Sequence, residues 1–177
     1  MLLDMVNQFK IPYVGLKLGH HRFIYELSDD FFRKLGNENI AGSKVRLELD
    51  FEKKVNFFVL IFYVGGTIGV ECDRCLKPFD LELLDEFSIY VKFSDSTQNK
   101  EDEGDDVLYI GRNESHIDVT QLIYEFVNLS IPVQKTCPLK EDGSSGCSKK
   151  VLNLLNKNEK HQEEESDPRW SVLNKLK

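Results

Sequence analysis

The sequence predicts an α+β fold: a mainly antiparallel, curled or barrel-like β-sheet with one packed helix and a C-terminal amphipathic helix. Three observations carry that expectation. Val45, Leu47, Leu49 and Phe51 alternate strictly with Lys44, Arg46, Glu48 and Asp50, the two-residue period of a strand with one buried face. Phe79, Leu81, Leu83, Phe87, Ile89, Val91 and Phe93 share one parity, broken only by Asp85. That predicts one long strand, or two joined by a bulge near Leu84-Asp85. Val119, Leu122, Ile123, Phe126 and Val127 recur instead at helical spacing.

The remaining elements follow in order. Ile11 to Leu18 and His21 to Leu27 read as two strands joined at Gly19, with Phe23, Tyr25 and Leu27 on one side. His20 and His21 fall at that turn as exposed residues; neighbours on a strand point to opposite faces and cannot easily share a ligand. Ser28 is an N-cap for a short helix from Asp29 to Leu35, which Gly36 stops. Phe57 to Val64 shows no alternation and is predicted as a central strand covered on both faces. Gly65-Gly66 ends it, and Thr67 to Cys72 forms a short strand.

Ser94 to Asp106 is polar, acidic and without period, a flexible loop, and Val107 to Ile110 is a short strand. The helix over 118–130 carries start signals: Asp118 as N-cap, Gln121 three residues on, and an Ile117–Leu122 staple. Ser130-Ile131-Pro132 ends it. The chain thus divides into a β-rich core domain over 1–135 and a cysteine-containing loop with short helical turns over 136–157. An acidic linker over 158–166 then leads to a docking helix over 167–177. In that last segment Asp167 caps, Pro168 takes the first helical position, and Trp170, Leu173 and Leu176 share a face. Such a face must be buried, on its own domain or in a partner groove.

Composition limits the function classes. A net charge of −7 argues against autonomous, non-specific nucleic-acid binding, because phosphate neutralisation supplies most of that affinity. Two acidic stretches, Glu101 to Asp106 and Glu159 to Asp167, hold much of the charge and leave room for a local basic face. The start of the chain has no basic segment followed by an apolar block. The longest apolar run, Phe57 to Val64, is eight residues, against the roughly 20 of a membrane helix. A soluble, cytoplasmic protein with no membrane contact is predicted.

The chemistry centres on Cys72-Asp73-Arg74-Cys75. Thiols two residues apart in a turn suit one half of a zinc site, a redox pair, or an ordinary hairpin tip. Cys137 and Cys147 would complete a four-cysteine zinc site, although nine residues lie between them, too many for a second knuckle. Sixty-one residues separate Cys75 from Cys137. In a cytoplasmic chain these cysteines are thiols or metal ligands rather than disulfides. A redox role needs a helix N-terminus or basic neighbours, which Arg74 and Lys77 supply only in part. There is no glycine-rich phosphate loop after a strand, no GxSxG, and no histidine pair at ligand spacing. A non-enzyme without a small-molecule substrate is expected.

Three stretches together carry a resemblance: Cys72-Asp73-Arg74-Cys75-Leu76 after a strand, the helix from Asp118 into Ser130-Ile131-Pro132, and Asp167-Pro168-Arg169-Trp170 with Leu173 and Leu176. In this order and spacing the chain resembles the YceD family, the large ribosomal RNA subunit accumulation proteins. Its Gly15-to-Phe23 opening is similar to Bacteroidetes-type members. The resemblance implies a role in the synthesis, processing or stability of 23S ribosomal RNA, with no catalytic activity. Its partner would be the large-subunit ribosomal precursor, met through a ribosomal protein or 23S rRNA. Many relatives carry a cysteine-rich cluster after the proline that follows the long helix, where this chain has Cys137 and Cys147. Arg74 and Lys77 on the cysteine turn, and Asp167, Pro168, Arg169, Trp170 and Leu173 in the terminal segment, are the expected contacts. Two other readings stand beside this one: a zinc-stabilised interaction module without a ribosomal role, and a C-x-x-C thiol oxidoreductase.

Overall fold

In the computed structural model, residues 8–37, 40–94, 106–140 and 143–162 are described. Residues 95–105 of the loop expected from Ser94 to Asp106 and the docking helix over 167–177 lie outside them, as do Asp167, Pro168, Arg169, Trp170 and Leu173. The chain forms two units, Met1–Val70 with Asp80–Val133, and Glu71–Phe79 with Gln134–Lys177.

In the first unit, alternation in sequence becomes burial on one face of a sheet. The strands are β2 (Gly19–Leu27), β3 (Ala41–Lys53), β4 (Phe57–Glu71), β5 (Pro78–Ser94) and β6 (Val107–Gly111), adjacent in that order. β2–β3 and β3–β4 pair antiparallel, and β6 joins the end of β5 in parallel. Val45, Leu47, Leu49 and Phe51 of β3 are all fully buried, each worth about 1.5–3 kcal/mol of transfer free energy. Opposite them stand Leu60, Phe62 and Val64 of β4 in register. β5 runs unbroken through Leu84-Asp85 and buries Leu83, Ile89 and Val91.

The barrel alternative does not hold: the sheet is open, its end strands β2 and β6 unpaired with each other. Helices cover the inner face, so closure is not needed to hide it. Helix α1 (Asp29–Lys34) contributes Phe31 and Phe32, and α2 (Thr120–Leu129) contributes Ile123, Phe126 and Val127. Phe126 stacks on Phe87 of β5 at 4.6 Å and lies 5.0 Å from Phe62 of β4. No helix among the described residues is long and apolar enough to cross a membrane.

Several local expectations are corrected. Ile11 to Leu18 is not a strand: Pro12 follows the two-residue β1 (Lys10–Ile11), and a 3₁₀ turn over Tyr13–Gly15 comes next. β1 pairs with β7 (Ile117–Asp118), which commits Asp118 to a strand. α2 therefore starts at Thr120, whose N–H still donates to Asp118 Oδ1 at 3.0 Å. Gln121 donates to Glu125 at 2.8 Å instead of closing a capping box. His20 and His21 sit within β2, not at a turn, and His20 faces Asp50 at 3.1 Å.

β4 is not ended by Gly65-Gly66 either. A Cβ at Gly66, where φ is +127°, would stand 2.2 Å from the Lys44 carbonyl oxygen, so only glycine lets β3 approach this closely. Nor is β4 covered on both faces. Val59 and Ile61 are half-buried and Tyr63 is exposed, because no layer of described residues packs on that side of the sheet.

Candidate metal centre

The second unit is built around two chain reversals. The first takes Cys72 to Lys77: Leu76 N–H donates to Cys72 O at 2.8 Å, and Cys72 N–H to Lys77 O at 3.0 Å. Leu76 turns the corner at φ +56°, a left-handed conformation rare outside glycine. The second takes Cys137 to Cys147. Gly143 N–H donates to Lys140 O, Lys140 N–H to Ser144 O, and Leu139 bridges Ser145 in antiparallel fashion. This hairpin brings together two cysteines whose spacing is too long for a second knuckle. Gly146 makes the closure possible, since a Cβ there would stand 2.4 Å from Pro138 O and 3.2 Å from Cys137 Cβ.

The two reversals are tied to each other. Asp73 N–H donates to Lys135 O at 2.8 Å, Lys135 N–H returns to Asp73 Oδ2 at 2.6 Å, and Lys135 Nζ lies 3.5 Å from Asp73 Oδ1. Helix α3 (Lys149–Gln162) then adds Val151 and Leu152 against the sulfurs, as does Phe79. The helix runs on past the one or two turns expected at Val151 to Leu155 and takes in the first residues of the stretch read as linker.

The four thiols Cys72, Cys75, Cys137 and Cys147 are buried, and their sulfurs all lie within 4.8 Å of one another. Cys72 Sγ is 3.8 Å from Cys147 Sγ, and Cys75 Sγ is 3.7 Å from Cys137 Sγ. A disulfide would need about 2.05 Å. Four sulfurs at about 2.3 Å from one tetrahedral ion stand about 3.8 Å apart along each edge. Both shorter separations thus match the edge that a tetrahedral S₄ site requires, and the donor set fits a soft or borderline metal.

The backbone around the sulfurs favours thiolate. Burial pushes the Cys72 thiol up, but the N–H groups of Arg74, Cys137 and Cys75 point at its sulfur and bring it down to about 6. The N–H groups of Ser148 and Lys77 likewise lower Cys75 against burial. Cys137 goes the other way, raised to about 12 by burial and by the thiols around it. These N–H donors hold the sulfurs in orientation and stabilise negative charge there, which is what a metal-bound thiolate needs. Arg74 and Lys77 stand exposed at the tip of the first reversal. In the first unit a cleft of about 680 Å³ is lined by Lys10, Glu114, Ser115, His116 and Asp118 among others. Ser115 Oγ and His116 Nδ1 are 2.7 Å apart there, but both side chains are exposed.

Compared with protein families, residues 60–177 match the model of the large ribosomal RNA subunit accumulation protein YceD, two thirds of the chain. The chain belongs to the YceD family. The matched span takes in both cysteine reversals, β5 and helix α2 of this YceD protein. The family description places YceD proteins in the accumulation of large-subunit ribosomal RNA. No curated protein and no solved structure matches the chain.

The sequence places Cys137 and Cys147 in one loop, but the hairpin pairing that closes that loop was not read from it. The signal was present in Gly143-Ser144-Ser145-Gly146, a glycine-bounded turn directly before Cys147.

Proposed function

We propose that this protein is a non-catalytic, cytoplasmic factor supporting the synthesis, processing or stability of 23S rRNA and the assembly of the large ribosomal subunit. The observation that carries the reading is the family match over residues 60–177. The net charge of −7 favours contact with the large-subunit precursor through a ribosomal protein or through a small basic surface rather than by coating RNA. Arg74 and Lys77 on the exposed first reversal, and Arg169, Trp170 and Leu173 in the terminal segment, are the contact residues of this reading.

The cysteine cluster serves as the structural zinc site of the same factor. Cys72 and Cys75 from one reversal, and Cys137 and Cys147 from the other, would hold the ion. Bound zinc supplies a redox-inert tetrahedral cross-link. The chain's own part is to bury the sulfurs, aim backbone N–H groups at them and fix the two reversals through Asp73 and Lys135. That rigid frame in turn sets the position of Arg74 and Lys77.

Deletion of the gene tests the functional reading. The ratio of 23S to 16S rRNA is expected to fall, and a plasmid-borne copy to restore it. An unchanged ratio in the deletion strain overturns the proposal.

A further inference from the structure

The outer face of the sheet carries a pattern that the metal centre does not use. Val59, Ile61 and Tyr63 of β4 point away from the core, with Tyr63 42% exposed. On β5, Leu84 and Tyr90 are 85% and 45% exposed and have the parity opposite to the buried Leu83, Ile89 and Val91. A Cβ at Gly69 would meet Asp80 Oδ1 at 4.0 Å, which puts the odd positions of β4 and the even positions of β5 on one face. The result is an apolar and aromatic stripe on a sheet face that no layer of the described residues covers, the kind of patch that marks an interaction site.

Carboxylates flank this stripe on β3 and stand in line with it on β5. Across β3, Glu48, Asp50 and Glu52 stand opposite Tyr63, Ile61 and Val59 in register. They meet Arg22, His20 and Lys54 at 2.9, 3.1 and 3.2 Å. Along β5, Asp80, Glu82 and Glu86 are exposed and face no cation among the described residues. A phosphate backbone or an anionic lipid surface is repelled by this β5 row of carboxylates. A lysine- and arginine-rich protein segment is attracted to it, with its cations on the carboxylates and tyrosine faces and its apolar side chains on the stripe.

We infer that the outer face of β4 and β5 is a docking surface for a basic, partly apolar segment of a protein in the large-subunit precursor. This rests on the proposed function and names the chemistry of the partner.

The test places the photo-cross-linking residue p-benzoylphenylalanine at position 63 of the full chain, expressed in a strain lacking the chromosomal copy. Cross-linked peptides are then mapped. Lysine- and arginine-rich segments of a large-subunit protein are expected, with a yield at least fivefold lower in a Glu82→Lys/Glu86→Lys background. The milder Glu82→Gln/Glu86→Gln pair covers the case where reversal of charge unfolds the chain, and should lower the yield two- to threefold. Cross-links to RNA, to a second copy or to the chain itself would each overturn the inference. So would a yield indifferent to both pairs, or no cross-link at all. The 23S to 16S ratio in the same strains separates the two levels. If deletion lowers it and the charge-reversed chain restores it fully, the docking surface is wrong and the proposed function stands; if deletion leaves it unchanged, the function itself is wrong.

Discussion

Gly146→Ala should cripple metal binding although it replaces no ligand. The added Cβ would stand 2.4 Å from Pro138 O, about 1 Å short of the 3.4 Å at which ordinary contact begins, and 3.2 Å from Cys137 Cβ. Both obstacles belong to the facing arm of the hairpin, one of them to a ligand residue, and the nearer is backbone that cannot rotate away. The arms carrying Cys137 and Cys147 must then separate by an amount several times the ±0.2 Å or so that metal–ligand distances tolerate. A loss of affinity of at least tenfold, within the 10- to 100-fold range seen when support around ligands is removed, is expected. Competition of the purified protein against a chromophoric zinc chelator reads this directly. Gly15→Ala is the control, because nothing lies within 4 Å of its Cβ and its φ is not positive. Wild-type zinc affinity in Gly146→Ala would refute the hairpin geometry on which the site depends.

Two further predictions concern the first unit. Phe126→Ala removes the ring that joins α2 to both β4 and β5, and should cost about 3–5 kcal/mol by urea denaturation, while Phe126→Leu costs under about 1.5 kcal/mol; a loss below about 1 kcal/mol for the alanine variant would mean that α2 does not pack on Phe62 and Phe87. Asp29 gives a pH test. The Ser43 hydroxyl, then the Ser43 N–H, the Gly42 N–H and Arg33, hold its carboxyl below the usual carboxylate range against the opposing effect of burial. A folded value below the unfolded value of about 3.9 means that this stabilisation is complete above the unfolded value and is lost as pH falls through the folded one. The urea midpoint of Asp29→Asn should therefore fall below wild type near neutral pH and converge with it in strong acid. A constant gap at every pH would show that the lost stability has nothing to do with the charge of Asp29.

The sheet was legible where periodicity is local. Val45 to Phe51 and Leu81 to Phe93 announce their buried face by alternation, and α2 announces itself by its stripe. Openness of the sheet was not legible, because whether β2 meets β6 depends on what covers the inner face, and that is a property of the whole chain. Phe57 to Val64 misled for a physical reason: an apolar outer face left uncovered by described residues has the same composition as one buried on both sides. The cysteine site was half visible. Cys72-x-x-Cys75 is a compact pattern, whereas Cys137 and Cys147 are joined by a hairpin whose register is set by backbone bonds at Lys140 and Leu139 that no spacing rule encodes. The outer docking face was hidden for the same reason as the openness, since it exists only once the helices have chosen the other side.

The most direct measurement is zinc analysis of the full-length protein purified without added metal, combined with X-ray absorption at the zinc edge. One zinc per chain is expected, with a shell of four sulfurs at about 2.3 Å. A fully folded, metal-free protein with four freely reacting thiols, or a shell containing nitrogen or oxygen ligands, would contradict the assignment of Cys72, Cys75, Cys137 and Cys147 to one ion.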